Sequence, residues 1–239
     1  ISSWGQEWKD GPVLRDMLAA LCAAEPEVRI RLGSLEPRTI DEVFCSALAS
    51  FSNLCPQFHL SLQSGSDTVL RRMNRKYDTA RYAESVRLLH RYFPGCAVTT
   101  DLIVAFPGET EEEFVQSLEF IRACGLAKIH VFPYSRRTGT PAAKMSAQLS
   151  NAEKEARATR AAAVAAELED AFHTALIGTE QNVLFEQPED GFFTGHAPNY
   201  VKVYVEAENL HNQLRRVRIT GLRRDGVLGE LRDAAEKTF

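Results

Sequence analysis

The side chains able to do chemistry fall into four short strings, each at the end of an apolar segment. They are Gly33-Ser34-Leu35-Glu36-Pro37, Gln63-Ser64-Gly65-Ser66-Asp67, Phe106-Pro107-Gly108-Glu109-Thr110 and Pro133-Tyr134-Ser135-Arg136. If they converge, small hydroxyls, an amide and carboxylates of this kind can hydrogen-bond sugar hydroxyls and an amino-acid moiety. The same residue types also build turns and helix caps, so any single string is ambiguous. Position gives them weight, because in α/β barrels the chemistry sits on loops at the C-terminal ends of the strands.

The elements that must position these strings alternate between amphipathic helices and short apolar strands from residue 10 to 134, the pattern of a parallel α/β sheet or barrel. Pro12 opens a helix to about Ala24, followed by a strand over Val28 to Leu32. Thr39 and Glu42 read as a capping box for a helix to about Ser50, and Phe58 to Leu62 reads as the next strand. Helices over Asp67–Met73 and Thr79–Tyr92 precede a strand over Ala97–Val104. Thr110 and Glu113 form a second capping box, Gly125 suits a left-handed helix end, and Lys128–Tyr134 is the last strand. Four strands, plus a strand end at Ile1, are too few to close an eight-stranded barrel, so a partial barrel is expected. Ser150 and Glu153 then cap a long alanine-rich helix reaching Gly178, with Val164, Leu168, Phe172 and Leu176 as its apolar stripe. Beyond it the period switches to two, through Val183, Phe185, Phe193, Val201, Val203, Val205, Val217 and Ile219, as in a small all-β barrel.

Hydrophobic residues at 44% and charged residues at 25% of 239 are ordinary globular values, and no apolar run approaches the length that spans a membrane. A formal charge of -4 excludes a uniformly basic surface and leaves room for a local basic patch. Cys22, Cys45, Cys55, Cys96 and Cys124 are odd in number and show no metal-ligand spacing, so they read as core thiols of a cytoplasmic protein. No metal ligand is assigned to this chain.

Taken together, three strings resemble one family: LSLQSGSDTVLRRMNR from Leu60, TTDLIVAFPGETEEEF from Thr99 and HVFPYSRRTGTPA from His130. They are similar to successive strand ends of the radical S-adenosylmethionine methylthiotransferases. The resemblance implies an α/β fold, a partial parallel (β/α) barrel of the radical SAM type over residues 1–148. A connecting helix over 149–178 and a small TRAM (OB-like) RNA-binding barrel over 179–239 follow. It also implies S-adenosyl-L-methionine and 4Fe-4S clusters as cofactors and a tRNA anticodon stem-loop as partner, with no membrane. Ser34, Glu36, Gln63, Ser64, Asp101 and Phe106 are then the expected cofactor-binding residues. For RNA, stacking faces and cations are wanted, and His196, Asn199, Tyr200, Arg215, Arg216 and Arg218 are the candidates.

Within the family, GHAPNYVKVYV from Gly195 is similar to the signature of the branch that adds a methylthio group to carbon 2 of N6-threonylcarbamoyladenosine. The isopentenyladenosine branch and a non-catalytic RNA-binding paralogue stand as alternatives. Ala105 and Ala197 replace the family's usual Gly and Thr, small-for-small exchanges expected to matter little. The family's Cys-x3-Cys-x2-Cys triad is not among these residues, so the cluster ligands are expected outside this chain, in a missing N-terminal region of the same enzyme. The chain alone, assigned no catalytic residue, is expected to be inactive.

Overall fold

The computed structural model describes residues 1–232 and the backbone of residues 237–238. Two compact units are present: residues 1–54 with 58–169, and residues 55–57 with those from 170 on. Among the described residues no helix is long and apolar enough to cross a membrane.

In the first unit the regular sheet is parallel, in the order β1 (Gln57–His59), β2 (Ala97–Val104), β3 (Lys128–Pro133). A fourth row is irregular and touches the sheet only through parallel bridges Ile30 to Leu54 and Leu35 to Leu60. The expected strand Val28–Leu32 is therefore reduced to a bridge at Ile30. Nor is Ile1 a strand end: residues 2–7 wind through turns, begun by the Trp4 N–H donating to the Ile1 carbonyl at 3.0 Å.

Helices α1 (Leu14–Ala24), α2 (Glu42–Leu48), α3 (Asp67–Arg72), α4 (Thr79–Tyr92) and α5 (Glu111–Cys124) separate these rows. The start of α2 departs from expectation, since its first free amides are capped by Asp41, whose carboxylate accepts from Phe44 N–H at 2.7 Å, and Thr39 lies in a 3-10 turn. Asp41 sits one residue before the helix, which is the position a cap requires. The Thr110/Glu113 box forms as expected, and Gly125 ends α5 at φ 60°.

Helix side chains bury one face of the sheet, where Phe58, Leu60, Val98, Leu102 and Val104 lie in the core with Leu18, Phe44, Leu89, Phe114 and Ile121. Alternate residues of the same strands go to the other face. Along β2 those are Thr99, Asp101 and Ile103, all half-buried.

α6 (Asn151–Ala175) starts at the Ser150/Glu153 box, with Ser150 N–H donating to Glu153 Oε2 at 2.8 Å. Val164 and Leu168 belong to the first unit's core, and Phe172 and Leu176 to the second's. The second unit is a closed five-stranded barrel of β4 (Glu180–Glu189), β5 (Phe192–His196), β6 (Lys202–Val205), β7 (Gln213–Arg223) and β8 (Gly226–Leu231). The order is β4-β5-β6-β8-β7, closed by β7 on β4, and β6 with β8 is its parallel pair. A two-residue strand, β9 (Lys237–Thr238), extends β7. All eight period-two residues named from the sequence are in its core. Gly195 is needed where β5 crosses β4, because a Cβ there would lie 2.2 Å from the Leu184 carbonyl oxygen.

Candidate cofactor cleft and nucleic-acid interface

Parallel strands covered on both faces are normally apolar throughout. Here the face away from the helices is polar. His59 of β1, Asp101 of β2 and His130 of β3 occupy it on successive strands, with Asp101 and His130 in register. His59 is held from both sides: Nδ1 lies 3.0 Å from Thr99 Oγ1 and Nε2 lies 3.4 Å from Asp101 Oδ2. The His59 and His130 rings are 6.1 Å apart. Of these groups only Asp101 was named from the sequence. His59 carried a readable signal, a polar residue at every second position of His59-Leu60-Ser61-Leu62-Gln63.

The expected cofactor residues lie across neighbouring rows of this sheet. Leu35 donates its N–H to the His59 carbonyl at 2.8 Å and accepts from Ser61 N–H at 3.1 Å, so exposed Ser34 and Glu36 flank a residue tied to β1. Glu36 is 3.3 Å from Arg38. Gln63 follows β1, donating its N–H to the Asp101 carbonyl and accepting from Ile103 N–H, both at 2.9 Å. Its φ of 72° is a left-handed conformation that costs a non-glycine residue about 1–2 kcal/mol. The Gln63 amide group makes no hydrogen bond among the described residues. Ser64 is spent within the fold, its Oγ 3.2 Å from Ser117 Oγ of α5 and accepting from Ser66 N–H. Phe106 is buried edge-on against Tyr134, with ring centroids 5.3 Å apart.

The loop after β2 is built on a buried ion pair that sequence reasoning missed. Glu109 Oε2 accepts from Ala105 N–H at 2.6 Å and from Arg157 Nη1 at 2.7 Å. Burial pushes the Glu109 carboxyl above its ordinary range, against the opposing pull of Arg157 and the Ala105 amide. Ala105 itself sits at φ 58°, so the exchange for the family's glycine is not neutral as expected: it carries a Cβ into left-handed backbone. Tyr77 Oη donates to the Ser61 carbonyl at 2.6 Å beneath β1, and burial pushes its pKa up to about 12.

On the barrel, His196 and Tyr200 stack with centroids 4.8 Å apart and planes 23° from parallel. A turn sets the pair: Tyr200 N–H donates to the Ala197 carbonyl, Tyr200 takes φ 68°, and buried Asn199 accepts Val201 N–H at 3.4 Å. Glu186 Oε1 lies 2.9 Å from His196 Nδ1. Tyr200 remains 40% exposed, enough to offer a ring face. The three arginines of β7 do not form one stripe. Arg216 and Arg218 alternate outward with buried Val217 and Ile219, whereas Arg215 takes the inward parity and donates to Gln213 at 3.2 Å. Arg216 pairs with Glu180 at 2.5 Å, and Arg218 lies opposite Glu180 and Glu230.

All five cysteines are buried thiols outside any disulfide, and burial pushes Cys45, Cys96 and Cys124 up to about 12. Among the described residues no three His, Cys, Asp or Glu side chains are grouped to hold a metal ion, so these cysteines do not fit an iron-sulfur cluster.

A model of the radical SAM superfamily matches residues 5–121. The tRNA-2-methylthio-N(6)-dimethylallyladenosine synthase of Frankia casuarinae is 40% identical over 189 residues, 79% of this chain and 35% of that protein. The threonylcarbamoyladenosine tRNA methylthiotransferase MtaB of Bacillus subtilis is 36% identical over 225 residues, 90% of this chain and 49% of that protein. The chain thus spans between about a third and a half of the length of these relatives. Among solved structures, the radical SAM enzyme coproporphyrinogen III oxidase from Escherichia coli matches 64% of this chain and 36% of its own, with a TM-score of 0.53 and 19% identity, a likeness of fold alone. Residues 5–121 thus match the radical SAM superfamily, and the chain is similar over 79–90% of its length to tRNA methylthiotransferases of both substrate types.

Proposed function

We propose that this chain forms one wall of the cofactor and substrate cleft, together with the RNA-binding barrel, of an enzyme that methylthiolates carbon 2 of N6-threonylcarbamoyladenosine in tRNA. The observation that carries this reading is the polar face of the parallel sheet, where His59, Asp101 and His130 stand beside an unbonded, left-handed Gln63. Strained backbone next to unspent polar groups is characteristic of ligand sites. These residues fit S-adenosyl-L-methionine: Gln63, Glu36 and Ser34 offer polar atoms for its ribose and amino-acid ends, and the Ile103 side of β2 offers an apolar contact for its adenine. When bound at a reduced 4Fe-4S cluster, that cofactor supplies a hydrogen-abstracting radical. The cluster's thiolates come from elsewhere in the enzyme, because the buried cysteines of this chain do not fit them. What the chain contributes is binding, orientation and a dry floor.

The barrel acts as a TRAM-like domain that presents His196 and Tyr200 to the anticodon stem-loop. The threonylcarbamoyl branch is chosen on the Gly195–Val205 string, whose His196, Asn199 and Tyr200 form one local turn-and-stack unit, while the relatives are of both substrate types and do not separate the two. Mass spectrometry of tRNA nucleosides from cells in which the gene is disrupted tests the reading. The expected result is loss of the methylthio form of N6-threonylcarbamoyladenosine with the isopentenyl form kept. The reverse pattern assigns the other branch, and retention of both overturns the proposal.

A further inference from the structure

Twelve of the 28 Lys and Arg side chains lie in ion pairs among the described residues. One stretch is set apart by its lack of acids. From Phe120 to Ala152 the sequence holds no Asp or Glu. Its first two cations, Arg122 and Lys128, are paired by Glu167 and Glu169 of α6. Arg136 and Arg137, at the end of β3, are exposed, and among the described residues their guanidinium groups have no acidic partner.

The loop that carries them is held in place. Thr140 Oγ1 donates to the Arg137 carbonyl at 2.8 Å and accepts from Ala143 N–H, and Gln148 Nε2 donates to the Ala142 and Met145 carbonyls. Gly108 N–H, in the loop after β2, donates to the Ala147 carbonyl at 2.7 Å. Arg136 also lines a cleft of about 540 Å³ with Tyr134, Ser135, Asn151, Lys154 and one acid, Glu155. Lys154 lies 5.4 Å over the Tyr134 ring, whose hydroxyl is buried and has no hydrogen-bond partner among the described residues. Two guanidinium groups on a tied loop, with the Lys154 ammonium of α6 in the cleft that Arg136 lines, make a surface for phosphate oxygens.

We infer that the Arg136–Arg137 loop and the adjoining Tyr134–Lys154 cleft form a phosphate-binding surface for the backbone of the substrate RNA, separate from the barrel. The inference rests on the proposed reading of the chain as RNA-modifying, and it places a second RNA contact at the strand ends, beside the cofactor face. A charge-only surface of this kind grips without reading sequence, leaving base recognition to the barrel.

The test is binding of the full chain to a fluorescent anticodon stem-loop RNA across a salt series, comparing the unaltered chain, R136A/R137A, and R87A as a control in which an exposed, paired arginine of α4 is lost. Circular dichroism confirms that each is folded. The expected result is about tenfold weaker binding for the double variant at low salt, with the slope of log affinity against log salt reduced by about 1.4–1.8, as two lost phosphate contacts require. The control keeps both values. A double variant that binds with unchanged affinity and slope overturns this inference and leaves the RNA-modifying reading standing. Failure of the unaltered chain to bind the RNA overturns both.

Discussion

His59 Nε2 lies 3.4 Å from Asp101 Oδ2 on the polar face of the parallel sheet, while its Nδ1 meets Thr99 at 3.0 Å. Thr99 at Nδ1 and the Asp101 carboxylate near Nε2 thus bracket the imidazole, whose ring centroid lies 6.1 Å from that of His130. Asp101 orients and His59 presents. Replacing Asp101 by Asn in the full-length enzyme is expected to lower tRNA methylthiolation by about 10–100-fold, the usual effect of removing an orienting partner. Stability should change by less than about 1 kcal/mol, because the pair is partly solvated. Nucleoside analysis beside a thermal melt checks this: a variant with full activity would remove Asp101 from the site.

Ala105 makes a prediction of opposite sign. At φ 58° its Cβ opposes the carbonyl, and glycine relieves that strain. Ala105→Gly is expected to stabilise the chain by about 1 kcal/mol, net of the extra freedom glycine gives the unfolded chain. Denaturant titration with an unchanged m-value would confirm it, and lower stability would show that the surrounding loop already accommodates the methyl group.

Much of this was legible in the sequence, for physical reasons that differ by element. Hydrophobic period carried the barrel, since a one-residue slip would have turned Val203 or Val217 outward. Reciprocal side-chain bonds carried the start of α5, where Thr110 and Glu113 sit at the spacing the box needs. At α2 the same spacing was present at Thr39 and Glu42, but Asp41 stood closer to the free amides and took the cap. Val28–Leu32 has strand composition, yet it lies at the sheet margin with bridges only at Ile30 and Leu35, and propensity does not supply a partner. In the site, residue types marked the loops, whereas the Glu109–Arg157 pair joins residues 48 apart that no local pattern connects.

That pair gives a pH-dependent prediction. Removing Arg157 leaves the Glu109 carboxylate buried with only the Ala105 amide to hold it, and is expected to cost about 3–5 kcal/mol at neutral pH. Glu109 is already raised by burial, and losing the cation raises it further. A carboxyl raised in the folded state favours folding below its unfolded pKa and loses that contribution as pH rises through the folded value. The penalty of Arg157→Ala should therefore shrink as pH falls toward the ordinary carboxylate range and grow above it. Urea titrations from pH 4 to 8 would show this, and a penalty independent of pH would mean that Glu109 leaves the interior when its partner is lost.

Tyr200 tests the barrel's part in RNA binding without disturbing its core. The ring stacks on His196 and is 40% exposed, so truncation removes a face without opening a cavity. Base stacking on such a ring is worth about 1–3 kcal/mol. Tyr200→Ala is expected to weaken anticodon stem-loop binding by about that amount, and Tyr200→Phe to keep most of it. Because stacking releases no counterions, the salt dependence of binding should stay that of the unaltered chain. Loss of affinity accompanied by a shallower salt slope would instead place Tyr200 in an electrostatic contact with the RNA backbone.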